Sequence, residues 1–125
     1  MNGVNKLRSA DYIGHILEAI ALIEQYTQTL TAAAFGQDRR TQQAVLLNIM
    51  IIGEAATKLA QTDPDLLARY PQVPWASMRG MRNRVAHGYF DIDLQVVWAT
   101  TQTALPALAV QLHAVRAGLD TNRGE

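Results

Sequence analysis

The sequence contains no cysteine, which removes disulfides, thiolate nucleophiles and thiolate metal sites together and suits a reducing compartment. Neither charge sign is in excess: 11 Lys and Arg against 11 Asp and Glu leave a formal net charge of zero. No global basic field therefore announces nucleic acid, and any such site has to be local. Aromatic residues make up only 6% of the chain while hydrophobic residues make up 49%, a balance that favours packed helices over a sheet. The N-terminal stretch MNGVNKLRSADY has no apolar signal-peptide core, and the longest apolar run, around Ala44–Ile52, is too short to cross a bilayer. The expectation is a soluble, cytoplasmic protein with no membrane partner. Internal repeats, linkers, low-complexity tracts and zinc-like ligand spacing are all missing.

What remains is 125 residues, enough for one all-α domain with a sizeable core. Ser9 is placed to cap a first helix whose Ile13, Ile16, Leu17, Ile20 and Ile23 step by three and four, and Gly36 ends that pattern. Asp38 can cap a second helix running to about Gln61, apolar around most of its circumference near Val45–Ile52. Such a helix is either central in the bundle or shared with a second subunit. Asp63 and Pro64 start a short helical segment that Pro71 closes, and PQVPW follows as a stiff connector. From Pro74, WASMRGMRNRVAH keeps Met78, Met81 and Val85 on one face, with Gly88 as the stop. Asp91 or Asp93 caps the last long helix, whose stripe runs from Leu94 through Leu105 to Val115. Pro106 should kink it near Gln102–Leu105, and Gly118 should end it, leaving 119–125 as a frayed tail after a core of about 9–118.

The stretch MRNRVAHGYF, residues 81–90, carries the chemistry. On one helix Asn83 and His87 share a face, whereas Arg82 and His87, five residues apart, diverge by roughly 140°. Their joint use needs either a distorted helix end at Gly88 or two copies that pool their residues. An arginine fork matches phosphate oxygens and stays charged. An imidazole titrates near neutrality and can exchange a proton with a ribose 2′-hydroxyl or a leaving 5′-oxygen. Tyr89 can stack on a base, donate to phosphate or accept a modifying group, and Arg79 and Arg84 add local positive charge as candidate RNA contacts. The plainer explanation also stands: a cation followed by glycine is what a helix C-terminus favours, with glycine as a left-handed cap.

Other positions are read structurally. His15 and His113 are surface or packing residues, Trp75 and Trp98 are core, and Asp91 and Asp93 are caps rather than ligands. Gly53 inside a helix costs about 1 kcal/mol relative to alanine, so something should pack closely against it. Glu54 either pairs with an arginine, Arg82 or Arg79, or faces water.

The ordered set IGEA (Ile52–Ala55), PW (Pro74–Trp75), GMR (Gly80–Arg82), R-N-x-x-x-H-x-Y (Arg82–Tyr89) and the later VW and LP pairs resembles the HepT-like group of HEPN domains, from about Asp11 to Leu112. The resemblance implies an up-and-down bundle of four to five helices that forms a homodimer with a composite cleft. It implies a toxin acting as a metal-independent endoribonuclease on RNA such as tRNA or mRNA, with no cofactor. The implied partner is a minimal nucleotidyltransferase antitoxin that attaches AMP to the motif tyrosine. Carried over, Arg82 and His87 are the catalytic pair, Asn83 and Glu54 support them, and Tyr89 accepts the modification. The competing expectation is a HEPN module without turnover that binds a nucleotide or a nucleotidyltransferase partner.

Overall fold

A computed structural model of the chain describes residues 2–124, and side-chain surroundings for residues 8–120. Among the described residues there are helices and turns but no strand. The long elements are α1 (Asn2–Thr27), α3 (Arg39–Thr62), α5 (Trp75–His87) and a composite last helix made of α6 (Leu94–Ala99), a π-helical turn (Thr100–Ala104) and α7 (Leu105–Gly124). Two short helices, α2 (Ala32–Gln37) and α4 (Pro64–Arg69), serve as connections, and a 3-10 turn (Tyr89–Asp91) links α5 to α6. The result is the expected all-α up-and-down bundle.

Its centre is α3, which packs against α1 on one side and α5 on another, while α7 returns to α1. By length and composition alone α3 would suffice to span a membrane, but half of its most apolar window is buried within the bundle. Ile13, Ile16, Val45, Ile52, Leu59, Leu105 and Leu112 are essentially inaccessible. Leu47 and Ile51 are the exceptions on α3, remaining 59% and 39% exposed. Both tryptophans pack inward as expected. Trp75 is buried and donates from Nε1 to the Tyr70 carbonyl at 3.0 Å, and Trp98 lies against Phe35 with ring centroids 5.3 Å apart, tying α6 to α2.

Several helix ends form as their sequences predict. Asp38 caps α3 with one carboxylate oxygen on the Thr41 backbone N–H (3.0 Å) and the other on its hydroxyl (2.7 Å). These hydrogen bonds hold the Asp38 carboxyl below its ordinary pKa. A depressed carboxylate pKa stabilises the fold above the usual carboxylate range and loses that contribution as pH falls through it. Asp63 caps α4, with Pro64 in the first turn. Asp93, not Asp91, caps α6, accepting from the N–H groups of Gln95 and Val96.

Other expectations fail for identifiable reasons. Ser9 is not an N-cap: α1 begins earlier, at Asn2, and the fully buried Ser9 hydroxyl donates to Asp63 Oδ2 at 2.7 Å. That bond joins α1 to the start of α4. The first helix does not reach Gly36, because it ends at Thr27 and Thr31 starts α2 by accepting from the Ala34 N–H. Gly88 ends α5 without entering the left-handed region, with φ at −133° and its N–H on the Arg84 carbonyl at 2.8 Å. Instead of a simple proline kink, the chain ahead of Pro106 forms a π turn in which the Leu105 N–H reaches back to the Thr100 carbonyl. Pro106, which has no N–H to give to the preceding turn, follows directly after this wider turn. Nor does Gly118 stop the last helix, which continues to Gly124 with Leu119 buried in the core; Glu125 lies outside the described residues.

The packing expected at Gly53 is present. A Cβ there would overlap Arg82 Cβ and approach the Met78 carbonyl to 2.7 Å. Both obstacles belong to the backbone or the base of a side chain, so α5 itself would have to move. Overpacking of this kind costs roughly 1–3 kcal/mol, against a helix-propensity gain of about 1 kcal/mol from alanine. Gly53→Ala should therefore lower the urea midpoint, whereas Gly14→Ala, with open space around its Cβ, should raise it. A Gly53→Ala protein as stable as the wild type would show that the crossing is looser than described.

Candidate active site

Helix α5 contains no acidic residue, and Arg79, Arg82, Arg84 and His87 project from it, all but Arg82 well exposed. This is the local positive ridge hidden by the zero net charge. The one ion pair it makes among the described residues comes from α3. Because Gly53 lets the two helices touch at Arg82, the next residue, Glu54, reaches the guanidinium, with Nε to Oε2 at 3.3 Å. Of the readings open for Glu54, pairing with Arg82 is the one realised. The side-chain oxygen Oδ1 of Asn83 accepts from Arg82 Nη1, also at 3.3 Å.

The Arg82 and Glu54 side chains are 32% and 52% exposed, and ion pairs this open to water contribute about 0–1 kcal/mol. What the contact supplies is direction. Glu54 holds the guanidinium at Nε and Asn83 holds it at Nη1, while Nη2 has no acceptor among the described residues. A guanidinium fixed at two nitrogens with donors free on the third suits a phosphate oxygen.

His87 does not join this group. It is exposed at the last position of a regular helix, and the Gly88 N–H continues the helical bonding to Arg84 at 2.8 Å. The distorted end needed to swing His87 towards Arg82 is therefore not formed. Among the described residues Arg82 and His87 share no hydrogen bond within one chain. Tyr89 follows in the 3-10 turn, 44% exposed, edge-on to Phe90 at a centroid distance of 5.6 Å. Asp91 is exposed and caps nothing. His15 and His113 are exposed on α1 and α7 and take no part. No group of three or more His, Asp or Glu residues able to hold a metal comes together among the described residues.

A feature not singled out in the sequence lies on the flank of α5 away from Arg82. It is a groove of about 350 Å³ floored by Leu46 and Ile49, walled by Met81, Val85, Ile92 and Val96, with Arg84 and Asp91 also lining it. Phe90, 97% exposed, stands in the turn beside it. Ile92 and Phe90 fall between two helices, where no amphipathic pattern assigns a side chain to inside or outside. The groove itself appears only once α6 folds back against α3 and α5.

Comparison with known proteins identifies the family. The family model described as "Ribonuclease HepT-like" matches residues 16–115. The "Probable ribonuclease HepT" of Thermococcus cleftensis is 36% identical over 106 residues, which cover 85% of this chain and 94% of that protein. A candidate RNase of Methanocaldococcus jannaschii is 34% identical over 95 residues, 76% of each chain. A larger protein of the same organism, named as a gamma-glutamylcyclotransferase and candidate RNase, is 34% identical over 112 residues, of which this chain spans 49% of the whole. No solved structure matches. The match of the family model along residues 16–115 and the 36% identity to a relative covered almost throughout place this protein in the HepT-like ribonuclease family.

Proposed function

We propose that this protein is the toxin of a toxin–antitoxin pair, a cytoplasmic, metal-independent endoribonuclease that works as a homodimer and is silenced by a minimal nucleotidyltransferase through AMP attached to Tyr89. The observation that carries the reading is the divergence of Arg82 and His87 on an undistorted helix. A two-fold axis passing near this helix resolves it by bringing His87 of the partner subunit opposite Arg82. The strip of α3 beside Glu54 supports such an axis, since Leu47 and Ile51 leave apolar surface exposed there.

In that shared cleft the chemistry needs no external cofactor. Neutral His87 takes the proton of a ribose 2′-hydroxyl as that oxygen attacks the adjacent phosphorus. Arg82 donates to the non-bridging oxygens as charge builds on the phosphorane-like transition state. The P–O5′ bond then breaks, and a protonated His87, the same ring or its symmetry mate, returns a proton to the leaving oxygen. The products are a 2′,3′-cyclic phosphate and a 5′-hydroxyl. Glu54 and Asn83 hold the guanidinium, Arg79 attracts a flanking phosphate of tRNA or mRNA, and Arg84 is a second RNA contact on the same helix.

Two groups of outcomes test this. Removing a general acid–base group typically costs 10²–10⁴ in rate, so His87→Ala should lose at least about 100-fold in cleavage of tRNA and mRNA, with the dimer mass intact. Arg82→Ala should be similarly impaired, while excess chelator should leave the wild type active. Equal cleavage by wild type and His87→Ala sinks the proposal; tight binding of a nucleotidyltransferase by unmodified protein that never cleaves RNA points to a binding subunit instead.

Attached AMP would bring phosphate charge to the ridge that carries Arg82 and Arg84, competing for donors meant for RNA. Intact mass after incubation with the partner enzyme and ATP should therefore show additions in units of AMP on the wild type and none on Tyr89→Phe. An unchanged wild-type mass contradicts the proposed off switch.

A further inference from the structure

We infer that the apolar groove between α5 and α6 is a guanine-binding subsite that sets where the RNA is cut; this rests on the ribonuclease reading above. At about 350 Å³, the groove falls at the small end of the roughly 300–1,000 Å³ typical of ligand sites, room for one flat bicyclic base. Met81, Val85, Ile92 and Val96 give it non-polar faces. Phe90 is 97% exposed in the turn between Gly88 and Asp91, both of which line the groove. An aromatic ring left wholly in water next to an apolar slot is a stacking platform for an unpaired base.

The polar groups select among bases. Arg84 and Asp91 line the same groove with opposite charges, yet neither forms an ion pair or a side-chain hydrogen bond among the described residues. Asp93, by contrast, is occupied by the Gln95 and Val96 N–H groups. A free carboxylate can accept two adjacent N–H donors, and a free guanidinium can donate to two adjacent acceptors. Guanine is the base that offers both: N1–H and the 2-amino group on one edge, O6 and N7 on another. Cytosine, adenine and uracil each lack at least one of these pairs.

The position fits cleavage. Arg84 precedes His87 by three residues and so adjoins it on the helix, on the side away from Arg82. A strand whose scissile phosphate meets Arg82 and His87 would place the base of a flanking nucleotide at the groove.

The test uses oligoribonucleotides identical except for one base beside the scissile phosphate. Wild-type protein should cleave the guanine version on the order of tenfold or more better in kcat/KM than the other three, with inosine, which lacks the 2-amino group, falling between. Asp91→Asn and Val96→Trp, the latter filling the groove, should each bring the guanine preference towards unity. The ratio is taken within one preparation, so partial unfolding does not imitate the effect. Titration with guanosine monophosphate should shift the methyl resonances of Val85, Ile92 and Val96, and cytidine monophosphate should not. Cleavage without base preference, or a preference that survives both substitutions, overturns the subsite. A Val96→Trp protein that turns monomeric also overturns it, by assigning the groove to a subunit contact. Guanosine monophosphate shifts in a protein that cleaves no RNA would instead remove the ribonuclease reading and leave the base site standing.

Discussion

The close crossing of α3 and α5 at Gly53 is the constraint on which the site depends. Only a residue without Cβ lets the stem of Arg82 and the carbonyl of Met78 lie against α3. That contact fixes how far α5 stands from the central helix, and it places Glu54, one residue further along α3, within reach of the Arg82 guanidinium. The helix-propensity cost of glycine, about 1 kcal/mol, is offset by an arrangement no larger residue permits. From the same contact follow the aim of Arg82, the attitude of the basic ridge, and the groove that opens on the far flank of α5.

The ridge is assembled by segregation of charge. Every cation on α5 lies within a helix that has no acid of its own, and a single glutamate from the neighbouring helix orients one arginine without neutralising the rest. Zero net charge over the whole chain is thus compatible with a strong local field. Such a surface attracts a phosphate backbone, while α3 beside it exposes Leu47 and Ile51. Basic and apolar surface therefore border each other, as the proposed cleft at a subunit boundary requires.

Much of this was legible in the residues. The periodicities of Ile13–Ile23 and Leu94–Val115 marked amphipathic helices, Asp38 and Asp63–Pro64 marked helix starts, and glycine inside IGEA marked close packing. Two of the errors share a cause, a local signal overridden by packing between helices. Ser9 has cap chemistry but spends its hydroxyl on Asp63, 54 positions away. Gly118 has stop chemistry but sits in a turn of helix continued by the burial of Leu119. For the site, the residue types and the divergence of Arg82 from His87 were readable from the 3.6-residue period. Which of two arginines would bind Glu54 was not, because that depends on how two helices cross, and the groove was invisible because it forms only where the stretch 81–100 folds back on itself against Leu46 and Ile49 of α3.

The central claim is that Arg82 of one copy and His87 of the other serve the same phosphate. Mixing Arg82→Ala with His87→Ala protein under conditions of subunit exchange tests it most directly. Half of the dimers are then mixed and each holds one intact site of two, so a composite cleft predicts recovery to about a quarter of wild-type cleavage from two proteins inactive alone. No recovery in a mixture whose native mass shows heterodimers would contradict it.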